Sequence, residues 1–296
     1  MIRKYIFTFV LVAVLLVVNF CNAQMKITVL DVGQGDSVLI QTDTENILVD
    51  TGDFTARNAL LQHLGNLNIN YLNKLILTHP HADHIANAAY LISEFGVAAV
   101  FDNGRTSANK FYRNYLTACK DSNVPRYTLR DGDCFFLDDG AFIEVLSSNH
   151  SAKNQNNDSV VFKLVYGNFK MLFTGDAEAD IETELIASAD DISADILKAA
   201  HHGSKSSNTL DFIKNVSPNY IIISAGRNNK FNHPNKAALD NFIIAGVPPN
   251  NIFCTAFNGN ISITTDGSEF SVAPQFNNAW LDNYLGYHLT ISNIDF

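Results

Sequence analysis

One stretch constrains this chain more than any other: "NKLILTHPHADHIANAAYLISEFG", residues 73–96. An apolar run ends there in three histidines and an aspartate within six positions, and a second apolar run begins. "KLILT" reads as a buried strand, and "HIANAAYLISEFG" as a helix closed by Gly96. His79 and His81, two positions apart, leave the strand end with both rings able to face one side of the turn. Asp83 and His84 follow at the helix entrance. Two imidazoles can hold one divalent ion, and the carboxylate with the third imidazole can hold a second nearby, an arrangement that activates water. The bland alternative makes Asp83 a helix cap and the histidines exposed loop residues. Four ligand-type side chains in six positions favour the metal.

The rest of the chain supplies matching elements. "KITVLDVG", "SVLIQT", "NILVDTG" and "VAAVFDNG" read as strands, and "FTARNALLQHLGNL" as a helix. Further on, "AFIEVLSS", "SVVFKLVYG" and "FKMLFTGD" are adjacent strands, the last two joined as a hairpin through "YGNF". "AEADIETELIAS" carries acidic residues in its first turn, as a helix start favours. "ADILKAA" is a buried strand, followed by helices near "TLDFIKNV" and "NKAALDNFIIAG" and strands at "NYIIISAG", "NIFCTA" and "NISITTD". Mixed sheets with helices in both halves imply a layered α/β architecture of two sheets covered outside by helices.

Further ligand types stand at later strand ends: Asp176 in "MLFTGDAE", His201 and His202 in "LKAAHHGSKSS", and His233 in "NNKFNHPNKAAL". Each alone is weak, because a TGD triplet is usually a turn. Ligands arriving from separate strand ends are what a site on one edge of a layered sheet requires. The "GQGDS" loop, residues 33–37, joins two strands rather than opening a helix. The phosphate-cradle reading is therefore weak, and a tight bend that brings Asp36 toward the same edge fits at least as well.

"ILVDTG", "THPHADH", "FTGD" and the late "NHP" together resemble the metallo-β-lactamase superfamily, a four-layer αββα fold that binds two metals. "LDVGQGDSVLI", "NNDSVVFKLVYGNFKMLFTGD" and "HHGSKSS" look more narrowly like the hydrolase domain of the ComEC/Rec2 competence proteins. This resemblance implies that His79 and His81 ligate a first metal and Asp83 and His84 a second. Asp176 would bridge them, His233 would complete the second site, and Asp50 would orient the ligands. A water between the metals would be the nucleophile. Asp83 is also counted as catalytic, with His202 as the acid for a leaving alkoxide and Lys205 beside it; Ser204, Ser206 and Asn156 would hold substrate. The superfamily's third histidine on the first metal is missing, and "NQNNDS" stands in its place. Asn156, Asn157 or Asp158 substitutes there, or the first site is oxygen-richer, which shifts the balance of the two divalent ions from zinc toward manganese.

The first 23 residues have the three-part plan of a secretory signal peptide: cations in "MIRK", an apolar run from Tyr5 to Val18, and small residues ending at Ala23. That run is shorter than the roughly 20 residues of a spanning helix, so cleavage is expected over a retained anchor, and the mature protein would be secreted or periplasmic without stable membrane insertion. Residues 24–270 form the expected hydrolase domain and 271–296 a C-terminal extension, docked or partly disordered. Three cysteines remain, which allows at most one disulfide and no cysteine-based zinc set. A formal charge of −10 argues against broad gripping of polyanions, though not against cleaving one at a metal.

The expectation is therefore a binuclear metal-dependent hydrolase of phosphodiesters, a nuclease or related phosphodiesterase, with DNA or RNA as substrate. The alternative within enzymes is hydrolysis of a lactone, β-lactam or phosphorylcholine ester. From another class, a non-catalytic binding protein would keep a structural metal with every coordination position closed.

Overall fold

The computed structural model describes residues 24–137, 140–148, 153–277 and 280–281, so the expected leader lies outside the described residues, as does the end of the C-terminal extension. In chain order the strands are β1 (Met25–Val29), β2 (Val38–Gln41), β3 (Asn46–Val49), β4 (Lys74–Leu77), β5 (Val100–Asp102), β6 (Arg126–Thr128), β7 (Cys134–Phe136), β8 (Phe142–Ser147), β9 (Val161–Tyr166), β10 (Phe169–Phe173), β11 (Ile196–Lys198), β12 (Tyr220–Ile223), β13 (Ile252–Cys254), β14 (Ile261–Thr265) and β15 (Phe270–Pro274). They form one sheet ordered β15-β14-β1-β2-β3-β4-β5-β6 and a second ordered β13-β12-β11-β10-β9-β8-β7. Helices α1 (Arg57–Asn66), α2 (Ala82–Ile85), α3 (Ala88–Tyr90) and α4 (Lys110–Asp121) belong to the first half; α5 (Ala179–Ala187), α6 (Leu210–Val216), α7 (Lys236–Ile244) and α8 (Thr255–Asn258) belong to the second.

Strand alternation builds the layers. Ile27, Val29, Val38, Ile40, Ile47, Val49 and Ile76 of the first sheet face Phe162, Leu164, Met171, Phe173, Ile196 and Ile222 of the second in one shared core. The residues between them point outward. Leu39, Leu48, Leu75 and Leu77 pack with Leu60 and Leu64 of α1 and with Tyr112 and Tyr115 of α4. Val161, Leu172, Leu197, Ile221 and Ile223 pack with Ile181 and Leu185 of α5, Phe212 of α6 and Leu239 and Phe242 of α7. The result is the expected four-layer αββα sandwich of two mixed sheets. Each of these side chains contributes on the order of 1.5–3 kcal/mol through burial.

Three local differences from the sequence reading have physical causes. The helix expected after His84 is broken: α2 and α3 are short, and a wide π-type turn, Leu91–Phe95, ends at Gly96 with φ 102°. Asn87 makes the break, because its backbone N–H donates to Thr51 Oγ1 and its amide donates to the carbonyls of Thr51 and Asp53. Helix α4 and strands β6 and β7 had no counterpart in the sequence reading, although Tyr112, Tyr115, Ala118 and Cys119 are buried at helical spacing. The boundary expected at 270/271 falls inside β15, which pairs antiparallel with β14, and beyond it Trp280 stacks on Phe257 with centroids 4.8 Å apart.

The parallel neighbours β3, β4, β5 and β6 and the parallel neighbours β10, β11, β12 and β13 are what position the site. Loops leaving their C-terminal ends, together with the β1–β2 loop, meet at one edge of the sandwich, where open sheets bind ligands. No helix among the described residues is long and apolar enough to cross a membrane.

Candidate metal centre

Asp50 leaves β3 with φ 58° and is buried. Its carboxylate accepts from the Thr78 backbone N–H at 2.8 Å and from the Thr78 hydroxyl at 2.7 Å, and lies 2.7 Å from His84 Nδ1. It thus holds the strand end that carries "HPHADH" and fixes the His84 ring with Nε2 turned inward, as an orienting carboxylate does behind a metal-ligating histidine.

Asp176, at the end of β10, divides its two oxygens. Oδ1 lies 3.3 Å from His84 Nε2 and 3.7 Å from His202 Nε2. Oδ2 lies 3.6 Å from His79 Nε2 and 3.7 Å from His201 Nε2. Asp83 Oδ2 is 3.3 Å from His202 Nε2, and His79 Nε2 is 2.9 Å from His81 Nδ1. His79, His84 and Asp176 gather tightly enough to hold an ion, and so do Asp83, His84 and His202. His84 Nε2, His202 Nε2 and Asp176 Oδ1 are buried without a hydrogen-bond partner although they converge. Three orphaned ligand atoms around one point are costly unless a cation satisfies them, so these residues fit a divalent metal.

The charges are arranged accordingly. Burial, helped by the charge on His84, holds His79 well below the usual imidazole range, and burial also lowers His81. Burial opposes charge on His84 and His202 too, but there the acids win. Asp176 and Asp50 raise His84 well above its ordinary value, and Asp176, Asp36 and Asp83 push His202 up to about 10. Asp176 stays charged despite burial because of His84 and His202. The acids thus favour positive charge on His84 and His202, at the place where a divalent cation would supply it.

The "HHGS" turn has an unusual backbone. His201 and His202 adopt left-handed φ/ψ of 48°/47° and 56°/26°, at a cost on the order of 1–2 kcal/mol each for non-glycine residues. His202 Nδ1 donates to the Ser224 carbonyl at 3.0 Å and lies 3.4 Å from Asp36 Oδ1. Asp36 comes from the β1–β2 loop, where Gly35 at φ 127° is forced: a Cβ there would sit 2.4 Å from the Asp83 carbonyl oxygen.

Two of the expected side chains are placed differently from the sequence pattern. His233 stands at the margin of the second set rather than within it. Its ring is 6.1 Å from His202, its Nδ1 is buried and unpartnered, and His202 occupies the place beside Asp83, His84 and Asp176. His202, expected as the acid for a leaving group, lies among the ligand candidates, with its Nδ1 on Ser224 and its Nε2 facing Asp83 and Asp176. Burial, with the charges on His202 and His201, lowers His233 to about 4, so its ring is neutral. The two serines expected to hold phosphate are engaged within the turn: their hydroxyls lie 3.0 Å apart, and Ser206 donates to Glu178 at 3.1 Å. Lys205 is exposed, with no ion pair among the described residues.

Of the substitutes considered for the missing ligand, Asn157 accepts from the Glu178 backbone N–H and Asp158 pairs with Arg105. Asn156 donates to Glu178 at 3.0 Å, and its Oδ1 is buried without a partner. Glu178, Asp36 and Lys198 carry no local motif that sequence reading weighs for this site, beyond the bend that brings Asp36 to the edge. Beside Asp83 a cavity of about 720 Å³ is lined by Gln34, Thr55, Ala82, Asp83, Lys230 and Phe231.

A family model described as the metallo-beta-lactamase superfamily matches residues 30–227. ComE operon protein 3 of Bacillus subtilis is 30% identical over 237 residues, covering 74% of this chain and 30% of that protein. Recombination protein 2 of Haemophilus influenzae is 29% identical over 256 residues, covering 81% of this chain and 30% of that protein. The chain thus spans about 30% of the length of these curated relatives. Among solved structures, the metallo-beta-lactamase fold protein YhfI from Bacillus subtilis superposes with a TM-score of 0.54 at 13% identity, covering 82% of this chain and 100% of that one.

Proposed function

This chain belongs to the metallo-beta-lactamase superfamily, and from that premise we propose that it is a binuclear metal-dependent phosphodiesterase that cleaves nucleic acid after export from the cytoplasm. The observation that carries the reading is the division of the Asp176 carboxylate, one oxygen toward each of two histidine groups. A structural metal needs one closed ligand set, whereas two half-sets around a shared carboxylate suit paired ions with room for water and substrate. The resemblance of "LDVGQGDSVLI" and "HHGSKSS" to the competence-protein hydrolase domain supports a phosphodiester substrate, and the leader-like first 23 residues support export.

Two divalent ions, zinc or manganese, would supply Lewis-acid charge and lower the pKa of water. The chain's own residues do the rest. Asp83, His84, His202 and Asp176 would hold the second ion, and His79, His81 and Asp176 the first. Asp50 fixes the tautomer of His84 through Nδ1, and the Ser224 carbonyl does the same for His202. His233, neutral and with an unpartnered Nδ1, is the nearby imidazole left for moving a proton. The cavity beside Asp83 offers Lys230 for a flanking phosphate and Phe231 as an apolar face.

The test is cleavage of bis(p-nitrophenyl) phosphate, single- and double-stranded DNA, and RNA with Mn²⁺ or Zn²⁺. We expect turnover that chelation and His84→Ala abolish. Folded, metal-loaded protein that cleaves none of these while hydrolysing a lactone or β-lactam would overturn the phosphodiester reading.

A further inference from the structure

We propose that the adjacent histidines of the "HHGS" turn are divided between the two metals, so that His201 supplies the first metal's missing third nitrogen while His202 serves the second. The inference rests on the binuclear reading above and goes beyond it by naming the ligand and the character of the first site.

Backbone geometry comes first. In an extended segment, neighbouring side chains point to opposite faces, so two successive histidines would not reach one carboxylate. His201, His202 and Gly203 instead form three consecutive left-handed residues, with φ of 48°, 56° and 76°. Successive side chains on such a turn are rotated by about 100°. The two rings therefore approach Asp176 from adjacent sides, His201 at Oδ2 and His202 at Oδ1.

Spacing is the second argument. Nitrogens bound at 2.0–2.1 Å to a tetrahedral ion lie about 3.3 Å apart. Three of the six edges around the first site are 2.9 Å between His79 Nε2 and His81 Nδ1, 3.6 Å from His79 to Asp176 Oδ2, and 3.7 Å from His201 to the same oxygen.

Orientation is the third. His201 Nδ1 lies 3.3 Å from Glu178 Oε1, and Nε2 is the nitrogen turned toward Asp176. Glu178 is itself held by the Asn156 amide at 3.0 Å and the Ser206 hydroxyl at 3.1 Å. This repeats the pairing of Asp50 with His84, a carboxylate behind an imidazole whose other nitrogen faces the metal. "NQNNDS" thereby takes a supporting part: Asn156 steadies Glu178, which steadies His201. The first site becomes three nitrogens and one oxygen, a set that suits zinc better than the oxygen-rich alternative would.

The experiment uses the full chain stripped of metal and dialysed against Zn²⁺, with bound zinc counted by elemental analysis and affinities read by calorimetry. His201→Asn is the main variant because asparagine tolerates the left-handed backbone. His201→Gly, which accepts φ 48° freely, replaces it if the asparagine form fails to fold, and circular dichroism of the metal-free proteins checks the fold. We expect two zinc ions on the wild type and on Asn156→Ala. We expect one on the His201 variant, its weaker site losing more than the 10–100-fold typical of an outer partner. A folded His201 variant that keeps both ions at wild-type affinity would overturn the proposal while leaving the binuclear reading intact. Wild-type protein holding fewer than two ions would overturn the binuclear reading and the proposal with it.

Discussion

Lys198 Nζ lies 2.9 Å from each oxygen of the Asp36 carboxylate, a pair joined across 162 positions and buried at both ends. Burial works against charge on Asp36, but Lys198 and then His202 hold its carboxyl below the usual range. The ammonium comes from β11 of the second sheet and the acid from the β1–β2 loop of the first. This pair fastens the two halves of the sandwich directly behind His202.

Removing one partner leaves the other charge buried and alone. Lys198→Met should therefore destabilise the metal-free protein by about 3–5 kcal/mol, and replacing both residues with apolar ones should recover most of that loss. Urea unfolding of the single and double variants checks this; equal stability in all three would show that the pair carries no weight.

Asp50→Asn should leave the protein folded but weaken metal binding by about 10–100-fold, because the His84 ring loses its orienting carboxylate. Competition against a chelator of known affinity measures it. An unchanged affinity would mean that packing alone fixes the ring.

Metal loading should release protons. His202, raised from 6.5 to about 10, and His84, also raised, are protonated in the metal-free protein at pH 7.5 and must be neutral to ligate. About two protons per chain are expected, measured by calorimetry in buffers of different ionisation enthalpy. The same shift sets the stability of the metal-free form. A group whose folded pKa lies above its unfolded value stabilises fully below the unfolded value, here 6.5, and that contribution is lost as pH rises through about 10. Thermal melts in chelator should therefore fall between pH 7 and pH 10.

Lys230→Ala and Phe231→Ala line the cavity beside Asp83 without joining the ligand groups. On oligonucleotides they should raise KM several-fold with little change in kcat, and on bis(p-nitrophenyl) phosphate they should change neither, since a small ester reaches no flanking subsite. Equal losses on both substrates would place the two side chains in the chemistry instead.

The parts of the centre that were legible in the sequence were those written locally. "HPHADH" concentrates four ligand types at one strand end, and short, nearly continuous apolar runs along β2, β3, β9 and β10 announce strands with two buried faces. What escaped depends on partners far apart in the chain. Nothing near His202 says that Ser224 and Asp83 will fix its ring, so the late "NHP" looked like the better candidate for the second site. Nothing near Asn87 says that its amide will be spent on the loop after β3, so one helix was expected where two short ones stand. Helix α4 escaped for a different reason: its buried stripe includes two tyrosines and a cysteine, which read as weakly apolar.

The first described strand, β1, is flanked by β14, with Met25 opposite Thr265. β15 then turns back along β14, with Phe270 opposite Thr265 and Pro274 opposite Ile261. The chain therefore enters β1 at one edge of the sandwich and leaves β15 at the other, the edge of the β1–β2 loop that carries Asp36.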